Sequence, residues 1–463
     1  MCIIKQHLLH LVSPLVCFLF PVLLFAADIG EPRGQELMLS LDEAVSIGLD
    51  RNRDLEIARL DRDIADQKVR EAWSGVLPQL EAEFDYTRTL EPVVIYFPED
   101  AITDPTKLTP LEISQDNAMV ASLSLSQPLF NLKAFAGIRA SSTVKKISME
   151  VYRQAEADVI SNIKTAYYNV LIADEQVAIL EQSISRWETA LRDSRALFRE
   201  GVAADIDTLK AFLSVENIKP DLIQARNRAV VTRTQLKNSI GLGPLSNITL
   251  SDSLVYQQGK YPEDIASAYA EAVSARPEVR QLELQVEAES QNVSAARAES
   301  FPAVTAVGQL QAQTQFNDDV AIEDTDWPVT SSVGLQLSMP LFTGFRISSQ
   351  VEQAKLGRLQ SMTRLEDLKA DIRAEVEMKL SNLEEARKRI KVQDRTIRTA
   401  ERSYEITLLR FREGIGSQLE LADAELQLNK AKTNYLQAVY DYLVARVECD
   451  KALGRTAKPA GDL

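Results

Sequence analysis

Hydrophobic and polar residues follow two regular patterns along the chain, and each pattern occurs in both halves. In four short segments the apolar residues occupy every second position. These positions are Leu80, Ala82, Phe84 and Tyr86, then Ala121, Leu123 and Leu125, then Val304, Ala306 and Leu310, and finally Val333, Leu335, Leu337 and Met339. The alternation predicts four strands with one apolar and one polar face. Each is about ten residues long, the length that a tilted strand needs to cross a bilayer, although a half-buried sheet would show the same pattern.

The second pattern follows each pair of predicted strands. Across residues 170–198 the seam positions recur at alternating intervals of three and four residues, and residues 383–411 repeat the rhythm. This heptad spacing predicts a coiled-coil seam between helices. The first long helix is predicted over residues 138–199, which at about 1.5 Å per residue is roughly 90 Å. No single compact domain needs a helix of that length.

A shorter helix is predicted before the strands of each half. Ser40 and Glu43 have the spacing of a capping box, which begins a helix that should continue to about Gly75. The corresponding helix of the second half is predicted over residues 265–299. Pro78 and Pro302 follow the two helices and should end them.

The two halves are copies of one unit. The tetrapeptide Phe-Arg-Glu-Gly occurs at 198–201 and again, 213 positions later, at 411–414, and the flanking residues agree at the same offset. We therefore predict a first structural repeat over residues 39–242 and a second over residues 265–454. An inter-repeat linker of residues 243–264 and a C-terminal tail of residues 455–463 complete the division.

The repeated tetrapeptide marks the bend of a helical hairpin. Gly201 and Gly414 stand where a helix would end in a left-handed conformation, and Asp205 and Ser417 would begin the returning helix. In the second repeat the returning helix keeps the heptad, with large residues alternating with alanine at Leu421, Ala424, Leu428, Ala431, Tyr435, Ala438, Tyr442, Ala445 and Cys449. Two helices can approach closely along such a seam. Cys449 is predicted to be a packed, unreactive thiol.

The N-terminus and the composition exclude several kinds of chemistry. Residues 1–27 contain Lys5, an apolar run and a final Ala-Ala pair, which is the layout of a secretory signal peptide. Beyond that segment Cys449 is the only cysteine and no histidine remains. Disulfides within the chain, Cys/His zinc sites and histidine acid-base chemistry are thereby excluded. No phosphate-binding glycine loop is present either, so we predict neither an enzyme nor a bound cofactor or metal.

Charge and hydropathy limit the partners. The formal net charge of −15 argues against nucleic acid. Beyond the signal segment no run of 18 apolar residues occurs, so no transmembrane helix is expected. The acidic segments 91–117 and 316–328 connect the paired strands and are predicted to be external hairpin loops.

Four strands cannot close a barrel, and open strand edges in lipid would leave unpaired amide groups that cost several kcal/mol each. The chains must therefore combine their strands. Three chains would supply twelve strands around a polar lumen, although two or four chains would satisfy the edge argument equally well.

An exported chain duplicated as helix, strand pair, long helix, bend and returning helix resembles the outer-membrane efflux protein (TolC) family over residues 39–454. The resemblance implies a mainly α fold with a membrane β-barrel. In this fold long α-helical hairpins form a periplasmic α-barrel, and a homotrimer supplies a twelve-stranded barrel in outer-membrane lipid. It also implies a channel that passively conducts substrates from a periplasmic adaptor (membrane fusion) protein and an inner-membrane transporter, in tripartite efflux or type I secretion.

The resemblance also assigns candidate site residues. The adaptor-contact tip would comprise Phe198, Arg199, Glu200 and Gly201 with Phe411, Arg412, Glu413 and Gly414. The periplasmic entrance would be lined by Asp207, Glu420 and Asp423, and a ring of these acids would favour cations. Glu420 has an alternative role as the cap of a helix N-terminus. The tyrosine and arginine that can close the entrance in well-known members fall on Phe411 and Gly416 here, so a closed state would need other contacts.

A secreted coiled-coil scaffold or surface protein is the alternative interpretation. It explains the heptads, but not the two pairs of strands of bilayer length.

Overall fold

The computed structural model describes residues 37–91, 93–100, 104–243, 246–257, 259–262 and 264–456. The predicted signal peptide and residues 457–463 of the predicted tail lie outside the described residues. Within them the chain is mostly helical. Its helices are α1 (Leu41–Arg51), α2 (Arg53–Ser74), α3 (Leu132–Arg199), α4 (Asp205–Ser239), α5 (Ile265–Ala275), α6 (Pro277–Ala298), α7 (Arg346–Arg412) and α8 (Gln418–Ala452).

The long helices confirm the heptad prediction. The helices α3 and α7 contain 68 and 67 residues, and α4 and α8 contain 35 residues each. Helix α3 begins earlier than predicted because the side chain of Asn131 accepts a hydrogen bond from the amide of Ala134 and caps it. None of the helices in the described part of the chain is both long and apolar enough to cross a membrane.

The shorter helix predicted in each repeat is divided in two, which corrects the sequence prediction. The capping box is present, since Ser40 Oγ accepts from the Glu43 amide and Glu43 Oε2 accepts from the Ser40 amide at 2.8 Å. The helix nevertheless ends at Arg51, and the side chain of Asn52 caps α2. In the second repeat the break falls at Arg276, because a residue before a proline is pushed out of the helical region.

The four predicted strands form one antiparallel sheet. The strands within the described residues are β1 (Leu37–Leu39), β2 (Gln79–Arg88), β3 (Val94–Asp100), β4 (Asp104–Glu112), β5 (Asn117–Phe130), β6 (Ile248–Leu250), β7 (Ala303–Phe316) and β8 (Val329–Ser338). Strands β2, β5, β7 and β8 lie in that order, so β2 and β8 are its edges. The loop predicted over residues 91–117 is wrong in part, because it contains the β3–β4 hairpin.

The strand register aligns the alternating faces across the whole sheet. Ala82 lies opposite Leu123, which lies opposite Leu310, and these belong to the apolar face. On the other face Glu83 lies opposite Ser122, and Ser122 lies opposite Gln311. The predicted division into one apolar and one polar face is therefore confirmed for the sheet as a unit.

The helices pack as two hairpins side by side. Helix α3 packs against α4 and α7 against α8, and the hairpins meet where α3 contacts α8. Towards the sheet α2 and α6 flank α3, and α6 also contacts α7. The edges of the helical layer are thus α4 and α2 on one side and α7 on the other.

The buried seam of α8 follows the predicted heptad. Leu421, Ala424, Leu428, Ala431, Ala438, Tyr442 and Cys449 are buried. Burial raises the pKa of the Cys449 thiol to about 12, so the reactive thiolate does not form near neutral pH. The prediction of a packed thiol is confirmed.

Three pairs of helices from the two repeats match at both ends. Both ends of α8 lie 213 positions after those of α4. Both ends of α5 lie 224 positions after those of α1, and the same holds for α6 and α2.

Candidate functional site at the helical bends

The two glycines at the bends have the left-handed conformation that the sequence predicts. Gly201 has a φ of 73° and Gly414 a φ of 75°. At the second bend the Gly414 amide donates to the Phe411 carbonyl and the Ile415 amide to the Arg410 carbonyl, both at 3.0 Å. The first bend has the same pair of bonds. This is a Schellman motif, in which glycine satisfies the last carbonyls of a helix without a steric penalty.

The returning helices begin differently at the two bends. Ser417 Oγ accepts a hydrogen bond from the Glu420 amide at 3.1 Å, which confirms the predicted cap of α8. Helix α4 starts at Asp205 as predicted, but the residue before it is Ala204, which supplies no capping side chain.

Two of the candidate entrance acids, Asp207 and Glu420, lie in the first turns of the returning helices α4 and α8, and Asp423 lies one turn further along α8. Asp207 on α4 and Glu420 on α8 occupy equivalent places, 213 positions apart. Glu420 and Asp423 are exposed and Asp207 is half-buried. Glu420 Oε2 lies 3.7 Å from Arg410 Nη1 across the second bend, and Asp423 Oδ1 accepts from Gln427 Nε2 at 3.5 Å. Their assignment to an entrance stays a prediction.

The described residues do not contain a group of three or more Asp, Glu, Cys or His side chains that could hold a metal ion.

The candidate tip residues differ between the two bends. Arg199, Glu200, Arg412 and Glu413 are exposed at both. Phe198 is 45% exposed, whereas its counterpart Phe411 is only 3% exposed and belongs to a buried cluster with Trp187, Leu191 and Leu421. The second bend is thus packed against the first hairpin through Phe411, whereas Phe198 of the first bend is exposed. This asymmetry corrects the prediction that Phe198 and Phe411 are equivalent seam positions.

A buried polar cluster joins the two hairpins, and the sequence did not predict it. Arg186 on α3 forms an ion pair at 2.8 Å with Glu425 on α8, which is only 2% exposed. Ser183 Oγ donates to Glu425 Oε1 at 2.8 Å, and Arg186 Nη2 donates to Asn429 Oδ1 at 2.9 Å. The cluster satisfies both charges where α3 meets α8.

The third long helix also contributes to this cluster. The guanidinium of Arg186 lies 5.8 Å from the ring centroid of Tyr404 on α7, a cation–π geometry. Burial, with a smaller contribution from the Glu425 carboxylate, raises the pKa of Tyr404 to about 12. Tyr404 therefore stays neutral, and Arg186 is held between a carboxylate and an aromatic face.

Paired helical hairpins joined to an amphipathic sheet with open edges define the class of channel proteins whose chains combine their strands in the outer membrane. The family model described as "Outer membrane efflux protein" matches residues 44–242 and 268–455. The chain belongs to this family.

Known relatives and solved structures agree with this assignment. The chain is 23% identical to outer membrane protein TolC of Escherichia coli strain K12 over 87% of this chain and 80% of the relative. It is 24% identical to the alkaline protease secretion protein AprF of Pseudomonas aeruginosa over 71% of this chain and 68% of that protein. The crystal structure of the Campylobacter jejuni CmeC outer membrane channel superposes with a TM-score of 0.72 at 19% identity, over 91% of this chain and 87% of that one.

The predicted fold class, transport function and location are therefore confirmed. The chain is an outer-membrane efflux channel protein that extends into the periplasm. The alternative of a secreted scaffold protein does not account for the family match.

Proposed function

We propose that this chain forms a homotrimeric exit duct, which receives substrates from an inner-membrane transporter and a periplasmic adaptor protein and conducts them passively across the outer membrane. The relatives are named as an outer membrane protein, TolC, and as an alkaline protease secretion protein, AprF. The proposal covers both efflux and type I secretion, and the duct needs no chemistry of its own.

The open edges of the sheet carry the proposal. Edge strands β2 and β8 contain ten residues each, and every one of these residues is exposed in the single chain. In lipid their unpaired amides would cost several kcal/mol each. Because neighbouring strands run antiparallel and each chain supplies four, β8 of one chain and β2 of the next also run antiparallel. Identical chains can therefore close a barrel without interrupting the strand order.

The size of the lumen favours more than two chains. Two chains would supply eight strands, and side chains fill the interior of a barrel of that size. Three chains supply twelve strands, which is the next possible number after eight because each chain adds four. The polar face, which includes Glu83, Ser122 and Gln311, would then surround an aqueous lumen.

The mass of the detergent-extracted protein from isolated outer membranes tests the proposal. After subtraction of the bound detergent, we expect the mass of three chains, because only closed edges are stable in lipid. A monomer or dimer that is absent from the membrane fraction would overturn the proposal.

We further propose that Asp207, Glu420 and Asp423 line the periplasmic entrance. Their support is their place in the first two turns of the helices after the bends, where Glu420 and Asp423 are exposed. Three copies would place nine carboxylates around one opening. Such a ring concentrates cations and repels anions.

Replacement of Glu420 and Asp423 together by alanine is expected to lower the ratio of cation to anion permeability and to weaken blockade by divalent cations. Conductance of single trimers in planar bilayers measures both properties. The matched control is Glu352→Ala with Glu366→Ala, because it makes the same change in charge on α7, roughly 70 to 90 Å from the bend at 1.5 Å per residue. Equal permeability ratios in the two double variants would remove these acids from the entrance.

The exposed tip residues are the proposed adaptor contact. Phe198, Arg199, Glu200 and Gly201 form the first bend, and Phe411, Arg412, Glu413 and Gly414 form the second. Arg412 Nε donates to Asp193 Oδ2 on α3 at 3.0 Å. Since this bond fixes the second bend to the first hairpin, an adaptor would meet both bends as one rigid surface.

A further inference from the structure

The second bend brings Arg410 beside the start of the returning helix. Arg410 is in the last turn of α7, and its carbonyl accepts hydrogen bonds from the amides of Ile415 and Gly416, both at 3.0 Å. A Cβ added at Gly416 would lie 3.1 Å from the carbonyl carbon of Arg410 and 3.2 Å from its Cβ. Glycine at this position therefore lets the chain turn back tightly against Arg410.

The side chain of Arg410 reaches across this bend to Glu420. Arg410 Nη1 lies 3.7 Å from Glu420 Oε2 in an ion pair, and the two side chains are 51% and 49% exposed. At the start of α1 the corresponding glutamate, Glu43, accepts from the amide of the capping residue Ser40. On α8 the hydroxyl of Ser417 caps the helix, and the Glu420 carboxylate lies beside Arg410 instead. The pair thus offsets the charge of one candidate entrance acid.

The first bend has the same backbone but a different residue at the place of the arginine. Leu197 lies 213 positions before Arg410, and Asp207 lies 213 positions before Glu420. The Leu197 carbonyl accepts from two amides of the bend at 2.9 and 3.2 Å, as the carbonyl of Arg410 does at the second bend. Since the backbone bonds agree, the pair at the second bend results from the arginine side chain and not from the fold of the bend.

Two further charged groups near the second bend are directed elsewhere. Arg412 Nε donates to Asp193 Oδ2 on α3 at 3.0 Å, so this guanidinium contacts the first hairpin. Asp423 accepts from the neutral amide of Gln427 at 3.5 Å, and a neutral donor leaves the negative charge of Asp423 in place. Arg410 is therefore placed to act on an entrance acid in a way that Arg412 is not.

We propose that Arg410 is the counter-ion of Glu420 and sets how strongly the entrance holds divalent cations. Because both side chains are half-exposed, water and salt weaken the pair, and a divalent cation that binds the carboxylate oxygens displaces the guanidinium. The entrance then holds such cations less tightly than its carboxylates alone would. This inference rests on the proposed entrance and adds to it the residue that controls its affinity.

Blockade of single trimers by Mg²⁺ in planar bilayers tests the inference, after the trimeric mass of each variant has been confirmed. Arg410→Gln removes the positive charge and keeps a good helix former. The half-blocking Mg²⁺ concentration is expected to fall by about two- to fivefold, as the strength of an exposed ion pair implies. Arg410→Lys keeps the charge and should restore most of the original value.

The matched control is Arg398→Gln. Arg398 pairs with Asp394 on α7 and lies 12 residues before Arg410, roughly 18 Å along the helix. This separation exceeds the screening length of about 10 Å at 0.1 M salt. The control therefore removes the same charge without a direct effect on Glu420.

A double-mutant cycle separates the ion pair from the general field of the arginine. In a Glu420→Gln background, Arg410→Gln is expected to have a much smaller effect on the half-blocking concentration, because its partner is already neutral. The same factor in both backgrounds would overturn the inference, since Arg410 would then act on all the carboxylates alike. No effect in either background would overturn it as well.

The entrance itself is tested separately by the double variant Glu420→Ala with Asp423→Ala. If Mg²⁺ blocks this variant as it blocks Glu352→Ala with Glu366→Ala, the acids do not line the entrance, and the proposed role of these acids fails. If the double variant weakens blockade while Arg410→Gln behaves like Arg398→Gln, the role of Arg410 alone is overturned.

Discussion

Glu425→Ala is expected to lower the stability of the helical region by about 3–5 kcal/mol, the usual cost of removing one partner from a buried ion pair. Glu425 accepts from both Arg186 and Ser183, and the Arg186 side chain is only 19% exposed. Without the carboxylate, Arg186 would be left as a largely buried charge with only Asn429 and the Tyr404 ring beside it. The midpoint of thermal unfolding, followed by helical circular dichroism in detergent, measures the change.

Two controls separate this effect from a general loss of charge. Glu216→Ala removes a carboxylate that pairs with Lys219 on the surface of α4, and such exposed pairs contribute about 0.2–1 kcal/mol. The double variant Arg186→Met with Glu425→Leu removes both charges and should recover much of the stability. If Glu425→Ala melts at the same temperature as Glu216→Ala, the cluster does not hold the hairpins together.

Gly201→Arg is expected to abolish export while leaving the trimeric mass unchanged. A side chain added at Gly201 has no neighbouring atom within 4 Å, so its charge would project from the first bend towards the proposed adaptor. Gly414 is more enclosed, because an added Cβ would lie 3.1 Å from Val202 Cγ1. Gly414→Arg should therefore also distort the contact between the two bends. Substrate export by cells and co-purification of the adaptor measure the two losses.

The matched control is Gly201→Asn. Asparagine tolerates the left-handed conformation better than other residues that have a side chain, and it adds no charge. The φ of 73° penalises both substitutions, so the comparison isolates the bulky charge. Normal export in both arginine variants would show that the bends are not the adaptor contact.

The elements that the sequence predicted well are those with a regular period. The four strands, the heptad seam and the bends at Gly201 and Gly414 were all predictable, because period and glycine placement report local geometry directly. The break at Arg276 was also readable, since Pro277 restricts the residue before it. The break at Asn52 was harder to predict from the sequence, because asparagine occurs within helices as well as at their caps.

The buried cluster could not be predicted, because charge alone does not tell which face of a helix is covered. Glu425 follows the seam residue Ala424 and looks like a solvated side chain until α3 is placed beside α8. The same limit applies to Asp207, Glu420 and Asp423. Their positions after the bends were readable from the repeat, but their convergence depends on contacts between chains.

The matched lengths of the helices restrict how a duct of this kind can change its length. Removing one residue from α7 would turn everything beyond it by about 100° about the helix axis and carry its apolar stripe away from α8. Removing seven would restore the stripe but leave that hairpin about 10 Å shorter than its neighbour, so that the two bends no longer lie level. Viable changes of length therefore come in whole heptads, taken from or added to all four long helices at once.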